Sequence, residues 1–172
     1  MIMLNIIACV DRNNAIGYNN KLLYNISEDM DFFKKMTIGK TVVMGRKTYY
    51  SLRKRPLPNR LNIIMTKANI TACGVITARN ISELNLIIKS IDNDIFVIGG
   101  ESVYRQLLPY CKYAYITKVF DAAPKCDTYF PELDENWVIK EISPTMCEND
   151  TEYQRYIYEN INVKPIKSTL EQ

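Results

Sequence analysis

The stretch IFVIGGESVYRQLLPY, Ile95–Tyr110, decides the fold. Its first four residues form an unbroken apolar run, the pattern of a strand buried on both faces. Gly99 and Gly100 interrupt it, and ESVYRQLLPY (101–110) then reads as a helix. Strand, glycine turn and helix together make the repeating unit of an α/β fold. The unit recurs at TVVMGRKT, where the strand 41–44 runs into Gly45 and a helix begins near residue 46. Working outward, LNIIACV (4–10), residues 74–77, LNIIM (61–65) and YAYITKV (113–119) read as strands. Helices start near residue 28 and at SELNLIIKSI (82–91), the latter with Ser82 as its cap. WVIKEI and YQRYIYENI follow as two strands with no helix between them. The expected fold is α/β: a mostly parallel sheet, helices on both faces and an antiparallel C-terminal edge. Residues 1–162 form a single domain in this reading, and 163–172 an unpatterned polar tail.

Composition narrows the function. The 172 residues are 47% apolar and 24% charged, which is ordinary for one globular domain. The net charge of +3 is small and dispersed, so no nucleic-acid partner is expected. The chain carries no long apolar run, signal peptide or lipidation motif, so the expectation is a cytoplasmic protein with no membrane partner. It has no histidine, which excludes a His-based triad. The five cysteines lack C-x-x-C spacing, so no metal site is expected and free thiols are the simplest reading.

The helix near residue 28 raises a specific question. NISEDMDFFKKM (25–36) crowds Glu28, Asp29 and Asp31 into its first turn, with Ser27 placed as N-cap. At about 100° per residue, Phe33 lies roughly 40° and Met36 roughly 20° from Asp29. Asp29 therefore sits within the apolar stripe, whereas Glu28 and Asp31 share the polar side with Lys34 and Lys35. Asp31 and Lys35 are spaced to pair. A buried carboxylate requires a partner. Two readings stand: a functional acid, or a capping acid at the edge of the stripe.

Ligands of α/β folds collect at the carboxyl ends of strands. The two glycine junctions let backbone N–H groups approach a phosphate closely, although a plain turn would use glycine as well. Arg46 and Lys47 at the first junction, and Lys67 beyond the strand ending at Met65, add cations. Cations with no acid at these strand ends favour a 2′-phosphate; the alternative is solvated surface charge. AIGYNNKLLY (15–24) is a polar loop beside this edge, either a lid or a connector.

Taken in order, IIACV, AIG, EDMDFFKK, VVMGRKTY, RPLPNR, NIIMT, VIGGESVY, YIT and CDTYFP resemble the dihydrofolate reductases of the monomeric chromosomal type. The resemblance spans about Leu4 to Asn160. It implies an eight-stranded sheet, NADPH as cofactor, and reduction of 7,8-dihydrofolate to tetrahydrofolate in support of one-carbon metabolism. It also implies antifolate ligands. By this match Asp29 binds the pterin through its 2-amino group and N3, and Thr117 buttresses that carboxylate. Phe33, Leu52, Leu57 and Ile98 wall the pterin and aminobenzoyl rings. Arg60 clamps the glutamate carboxylate, with Arg55 at the rim. The backbone at Ile7 and Cys9 faces the pterin and the nicotinamide carboxamide. On the cofactor, the match places the loop Ala15, Ile16, Gly17, Tyr18, Asn19, Asn20, Lys21 and Leu22. It adds Gly45, Arg46, Lys47, Thr48, Thr66, Lys67 and Arg79, then Gly99, Gly100, Glu101, Ser102, Val103 and Tyr104. The chain departs from the family's Pro-Trp at Leu23-Tyr24, and Lys54 reads as an extra loop residue.

In this reading Asp29 orients the pterin and water delivers the proton to N5. Two rivals stand beside this reading. One is the pyrimidine reductase of riboflavin synthesis, which lacks a counterpart of Arg60. The other is a non-catalytic cofactor-binding relative.

Overall fold

The computed structural model describes residues 3–166. In chain order its elements are β1 (Leu4–Val10), β2 (Ala15–Tyr18), β3 (Lys21–Leu22), α1 (Ser27–Thr37), β4 (Thr41–Gly45) and α2 (Arg46–Ser51). Next come β5 (Leu61–Met65), β6 (Val75–Ala78), α3 (Ile81–Ile88), β7 (Ile95–Val97) and α4 (Glu101–Leu107). A 3-10 turn (Leu108–Tyr110), β8 (Tyr113–Val119), β9 (Thr128–Tyr129), β10 (Trp137–Ile142), β11 (Met146–Glu148) and β12 (Thr151–Asn160) complete it.

The main sheet runs β10-β12-β8-β1-β7-β4-β5-β6, with β11 added along β12. The strands from β8 to β6 pair in parallel, and β12 is antiparallel to both β8 and β10. This is the expected mixed sheet of eight strands, lengthened by the short β11 hairpin. Its central strands bury both faces, which explains their continuous apolar runs. Ile6, Val43, Ile63 and Val97 point to one side, where Leu84 of α3 and Val103 and Leu107 of α4 cover them. Ile7, Val42, Met44, Ile64 and Phe96 point to the other, under Phe32, Phe33 and Met36 of α1 and Tyr49 of α2. Helices therefore lie on both faces.

Several local expectations change. The 15–24 segment is not an open loop: β2, β3 and β9 form a second, three-stranded sheet. Asn19 and Asn20 make its turn at φ 50° and 58°. Asparagine tolerates such values, and two of them suit a two-residue hairpin. Ser27 is the first helical residue of α1, not its cap, and Ile26 in the cap position supplies no side-chain bond. The orphan N–H groups of Ser27 and Glu28 instead donate to Glu148 Oε1 and Oε2, at 2.8 and 3.2 Å. Those bonds hold the Glu148 carboxyl below its usual range. Likewise Ser82 lies inside α3, and Asn80 caps it by accepting from the Glu83 N–H at 2.8 Å. Asp31 and Lys35 form no ion pair among the described residues. The expected polar tail lies mostly at 167–172, outside the described residues. Of its first part, the Lys164 N–H donates to the Pro109 carbonyl, and the Ile166 carbonyl accepts from Asn85.

Candidate active site

The site forms where α1 lies against the sheet. Parallel register sets Cys9 of β1 opposite Thr117 of β8, and antiparallel register sets Thr117 opposite Arg155 of β12. Three side chains thus form one row beneath α1. Above it, Asp29 accepts a hydrogen bond from the Thr117 hydroxyl. Its side chain is 17% exposed. Burial pushes the Asp29 carboxyl up from the ordinary range, while the Thr117 bond and the Arg155 charge hold it down. Asp29 is therefore not a capping residue; Glu148 performs that task.

Glu28, read as an ordinary surface acid, is not one. Its Oε2 accepts from the Tyr153 hydroxyl at 3.2 Å and from Arg155 Nη2 at 2.9 Å. Cys9 is half-buried beside Asp29, and burial together with that charge pushes its thiol up, which disfavours the reactive thiolate.

Phe33, Leu52, Leu57 and Ile98 all pack on the cluster containing Ile7, as the family match implies. Arg60 donates from Nε to the Pro58 carbonyl at 2.9 Å and from Nη1 to Thr37 Oγ1 at 3.0 Å. Arg60 forms no ion pair among the described residues, which leaves its charge available to an incoming carboxylate. Arg55 is exposed and turned back onto the Tyr50 carbonyl at 2.8 Å. Composition and motifs gave no hint of Asn62. It is fully buried and pins the loop that carries Leu57 and Arg60: its amide accepts from the Leu57 N–H and donates to the Leu57 and Arg60 carbonyls, each at 2.9 Å. A lone asparagine inside the apolar strand LNIIM was the available signal.

A second group of predicted residues lines the carboxyl edge of the parallel strands. The Gly45 N–H donates to the Gly99 carbonyl at 2.8 Å, joining the two glycine junctions. Gly99 has φ +112°, and a Cβ there would lie 3.1 Å from the Tyr104 ring. A Cβ on Gly45 would approach Val103 to 3.2 Å, and one on Gly100 would approach Thr48 Oγ1 to 3.4 Å. Tyr104 is buried and donates to the Ile7 carbonyl at 2.8 Å, which ties α4 to β1. Arg46, Lys47, Lys67 and Arg79 are exposed and form no ion pair among the described residues. Thr66 Oγ1 caps the turn after β5 by accepting from the Ala68 N–H. Glu101 pairs with Arg105 at 3.2 Å, and Ser102 accepts from Gln106.

The hairpin of Ala15, Ile16, Gly17, Tyr18, Lys21 and Leu22 is anchored by two acids. Asp11 Oδ1 accepts from the Asn13 and Ala15 N–H groups, and its Oδ2 from Ala123. Asp127 accepts from the Asn19 N–H. Gly17 has no room for a side chain, since a Cβ would lie 2.8 Å from Thr128 Oγ1. Tyr24, in the departure from Pro-Trp, packs with Cys9 beside Ile26, Val119 and Tyr153. Its hydroxyl is buried and has no partner among the described residues.

The fold thus carries a hydrogen-bonded carboxylate over an apolar cluster, beside a strand edge that bears glycines and exposed cations. Comparisons with known proteins give the family. The family model described as dihydrofolate reductase matches residues 3–162. The chain is 37% identical over 166 residues to dihydrofolate reductase of Bacillus subtilis (strain 168), an alignment covering 93% of this chain and 96% of that protein. It is 40% identical over 129 residues to dihydrofolate reductase of Buchnera aphidicola subsp. Schizaphis graminum, covering 75% and 79% respectively. The solved structure of dihydrofolate reductase from Enterococcus faecalis, complexed with NADP(H) and RAB-propyl, matches with a TM-score of 0.84 at 30% identity. It covers 91% of this chain and 95% of that one. The chain belongs to the dihydrofolate reductase family.

Proposed function

We propose that this chain reduces 7,8-dihydrofolate to 5,6,7,8-tetrahydrofolate with NADPH, one hydride and one proton being consumed per turnover. The observation that carries the reading is Asp29, buttressed by Thr117, above the apolar cluster that includes Ile7, Phe33, Leu52, Leu57 and Ile98. A flat heterocycle suits a carboxylate set beside apolar side chains, since its amino and ring N–H groups match the two carboxylate oxygens.

The residues present suit the cofactor. Gly99 and Gly100 present bare backbone at the end of β7, which suits close approach of a phosphate-bearing group. Arg46 and Lys47, exposed and without ion pairs among the described residues, supply cations that suit a 2′-phosphate, with Thr48 on the same helix and Thr66, Lys67 and Arg79 just past the neighbouring strands β5 and β6. Bound NADPH supplies the hydride.

The chain's own residues orient and enclose. Asp29 fixes the pterin and stabilises positive charge on it; Thr117 holds the carboxylate in place. The apolar walls exclude bulk water. Arg60, held by Thr37 and the Pro58 carbonyl, receives the glutamate carboxylate. Water brings the proton to N5, since Asp29 serves the other end of the ring. We place the enzyme in the cytoplasm as a monomer with its domain over residues 1–162. Among the described residues no helix is long and apolar enough to cross a membrane.

A spectrophotometric assay of NADPH loss tests the reading. Oxidation that requires dihydrofolate supports it. Loss that is independent of dihydrofolate, or that occurs only with an aminopyrimidine of riboflavin synthesis, would overturn it.

A further inference from the structure

The proposed reaction gives Arg155 no role. Its side chain is 13% exposed, and its guanidinium lies 3.6 Å from the centre of the Phe32 ring. Nη2 meets Glu28 Oε2 at 2.9 Å and Asp29 Oδ1 at 3.8 Å. Its Nε is buried without a partner among the described residues. A purely structural arginine in so buried a place would have its donors satisfied, because an orphaned polar group is costly. This one is held by Phe32, by Glu28 and by its register beside Thr117, with its charge against the ligand carboxylate.

We infer that Arg155 is a specificity-determining residue, whose fixed positive charge beside Asp29 favours a neutral heterocycle offering two N–H donors over a cationic one of the same shape. The inference rests on the reading of Asp29 as the pterin carboxylate. A neutral 2-amino-4-oxo ring gains both hydrogen bonds and meets no net repulsion. A 2,4-diaminopyrimidine, protonated on its ring when paired with a carboxylate, brings its charge towards that of Arg155, which Glu28 opposes from the other side. Like charge placed against like disfavours the wrong ligand.

The other groups around Asp29 set the balance. Glu28 on α1 opposes Arg155, and Tyr153 of β12 and Glu148 of β11 sit on the Glu28 side. Cys9 of β1 and Thr117 of β8 complete the row and carry no charge. Removing Arg155 should therefore move the system in one direction, and removing the Glu28 charge in the other.

The test measures the affinity of the full chain for 2,4-diamino-5-benzylpyrimidine and the KM for dihydrofolate across a range of pH. In Arg155→Met the diaminopyrimidine should bind about tenfold more tightly, with the KM for dihydrofolate changed less than about threefold. The acid limb of dihydrofolate binding should move to higher pH in that variant. Arg155→Lys should stay close to the parent on all three measures. Glu28→Gln should weaken the diaminopyrimidine and move the acid limb to lower pH, and it tests the idea even if Arg155→Met folds poorly. Equal shifts for both ligands, or no shift in either variant, overturn the inference while a parent that turns over dihydrofolate keeps the enzyme reading intact. A parent that binds neither ring overturns both.

Discussion

The Thr117 hydroxyl donates to Asp29 Oδ1, so a β8 side chain fixes the orientation of a carboxylate carried by α1. Thr117 itself is 2% exposed and cannot exchange this bond for one to bulk water. Thr117→Val keeps the shape and removes the donor. A hydrogen bond to a charged group contributes about 1.5–3 kcal/mol, so the KM for dihydrofolate should rise by roughly tenfold or more. Thr117→Ser should restore most of the loss, and the KM for NADPH should not follow. Steady-state kinetics of the two variants decide it. An equal rise for both ligands would mean that Thr117 only fills space.

Arg46 and Lys47 stand at the first turn of α2, exposed and without ion pairs among the described residues. Losing a charge-assisted contact to a 2′-phosphate costs about 1.5–3 kcal/mol. The double substitution Arg46→Ala with Lys47→Ala should raise the KM for NADPH far more than that for NADH. Comparable increases for the two cofactors would assign these residues to the solvent.

Which parts of this arrangement could be read in the chain follows from locality. LNIIACV and IFVI declare buried strands because neither face meets water, and Gly45 and Gly99 declare the turns that follow. Asp29 stood out because helical spacing put a charge in an apolar stripe. Glu148 was invisible as the α1 cap, since it lies 121 residues from Ser27 and only folding brings them together. The hairpin at Asn19-Asn20 carried a local signal that the expected loop ignored: two residues tolerant of positive φ between short extended runs. Arg155 left a fainter one. In TEYQRYIYEN strand alternation puts it on the face of Tyr153 and Ile157, the face that packs against α1. That it meets Asp29 depends on the register of β12 against β8, which no local pattern encodes.

Gly99 has a backbone requirement that differs from its neighbour's. At φ +112° an L side chain is strained, and a Cβ would press on the buried Tyr104 ring at 3.1 Å. Gly99→Ala should destabilise the protein by about 2 kcal/mol or more, since strain and overpacking act together. Gly45→Ala would press on a Val103 methyl at 3.2 Å but has no positive φ to strain, and should cost less. Denaturant midpoints of the two variants rank them; a Gly99→Ala protein as stable as Gly45→Ala would show that the turn relaxes freely.

Asp29 should trade stability for function. Burial raises its carboxyl above the unfolded value, with Thr117 and Arg155 opposing only in part. Between the unfolded and folded values, the folded chain holds the proton more tightly than the unfolded chain. Stability therefore falls as pH rises through that window and stays lowered above it. Asp29→Asn avoids this penalty, so its Tm should exceed the parent's on the alkaline side of the window, and the difference should shrink as pH falls below the unfolded carboxyl value. Activity should move the opposite way. Asparagine keeps the shape but opposes one ligand donor with an amide N–H, and it provides no anion for the protonated pterin. Single-turnover hydride transfer should be low at neutral pH and climb as acid supplies substrate already protonated, without reaching the parent's plateau. NADPH affinity should not change. Thermal melts and single-turnover rates over the same pH series test both halves. An Asn variant with parental activity at neutral pH, or one that also loses NADPH binding, would show that the carboxylate holds the fold and not the pterin.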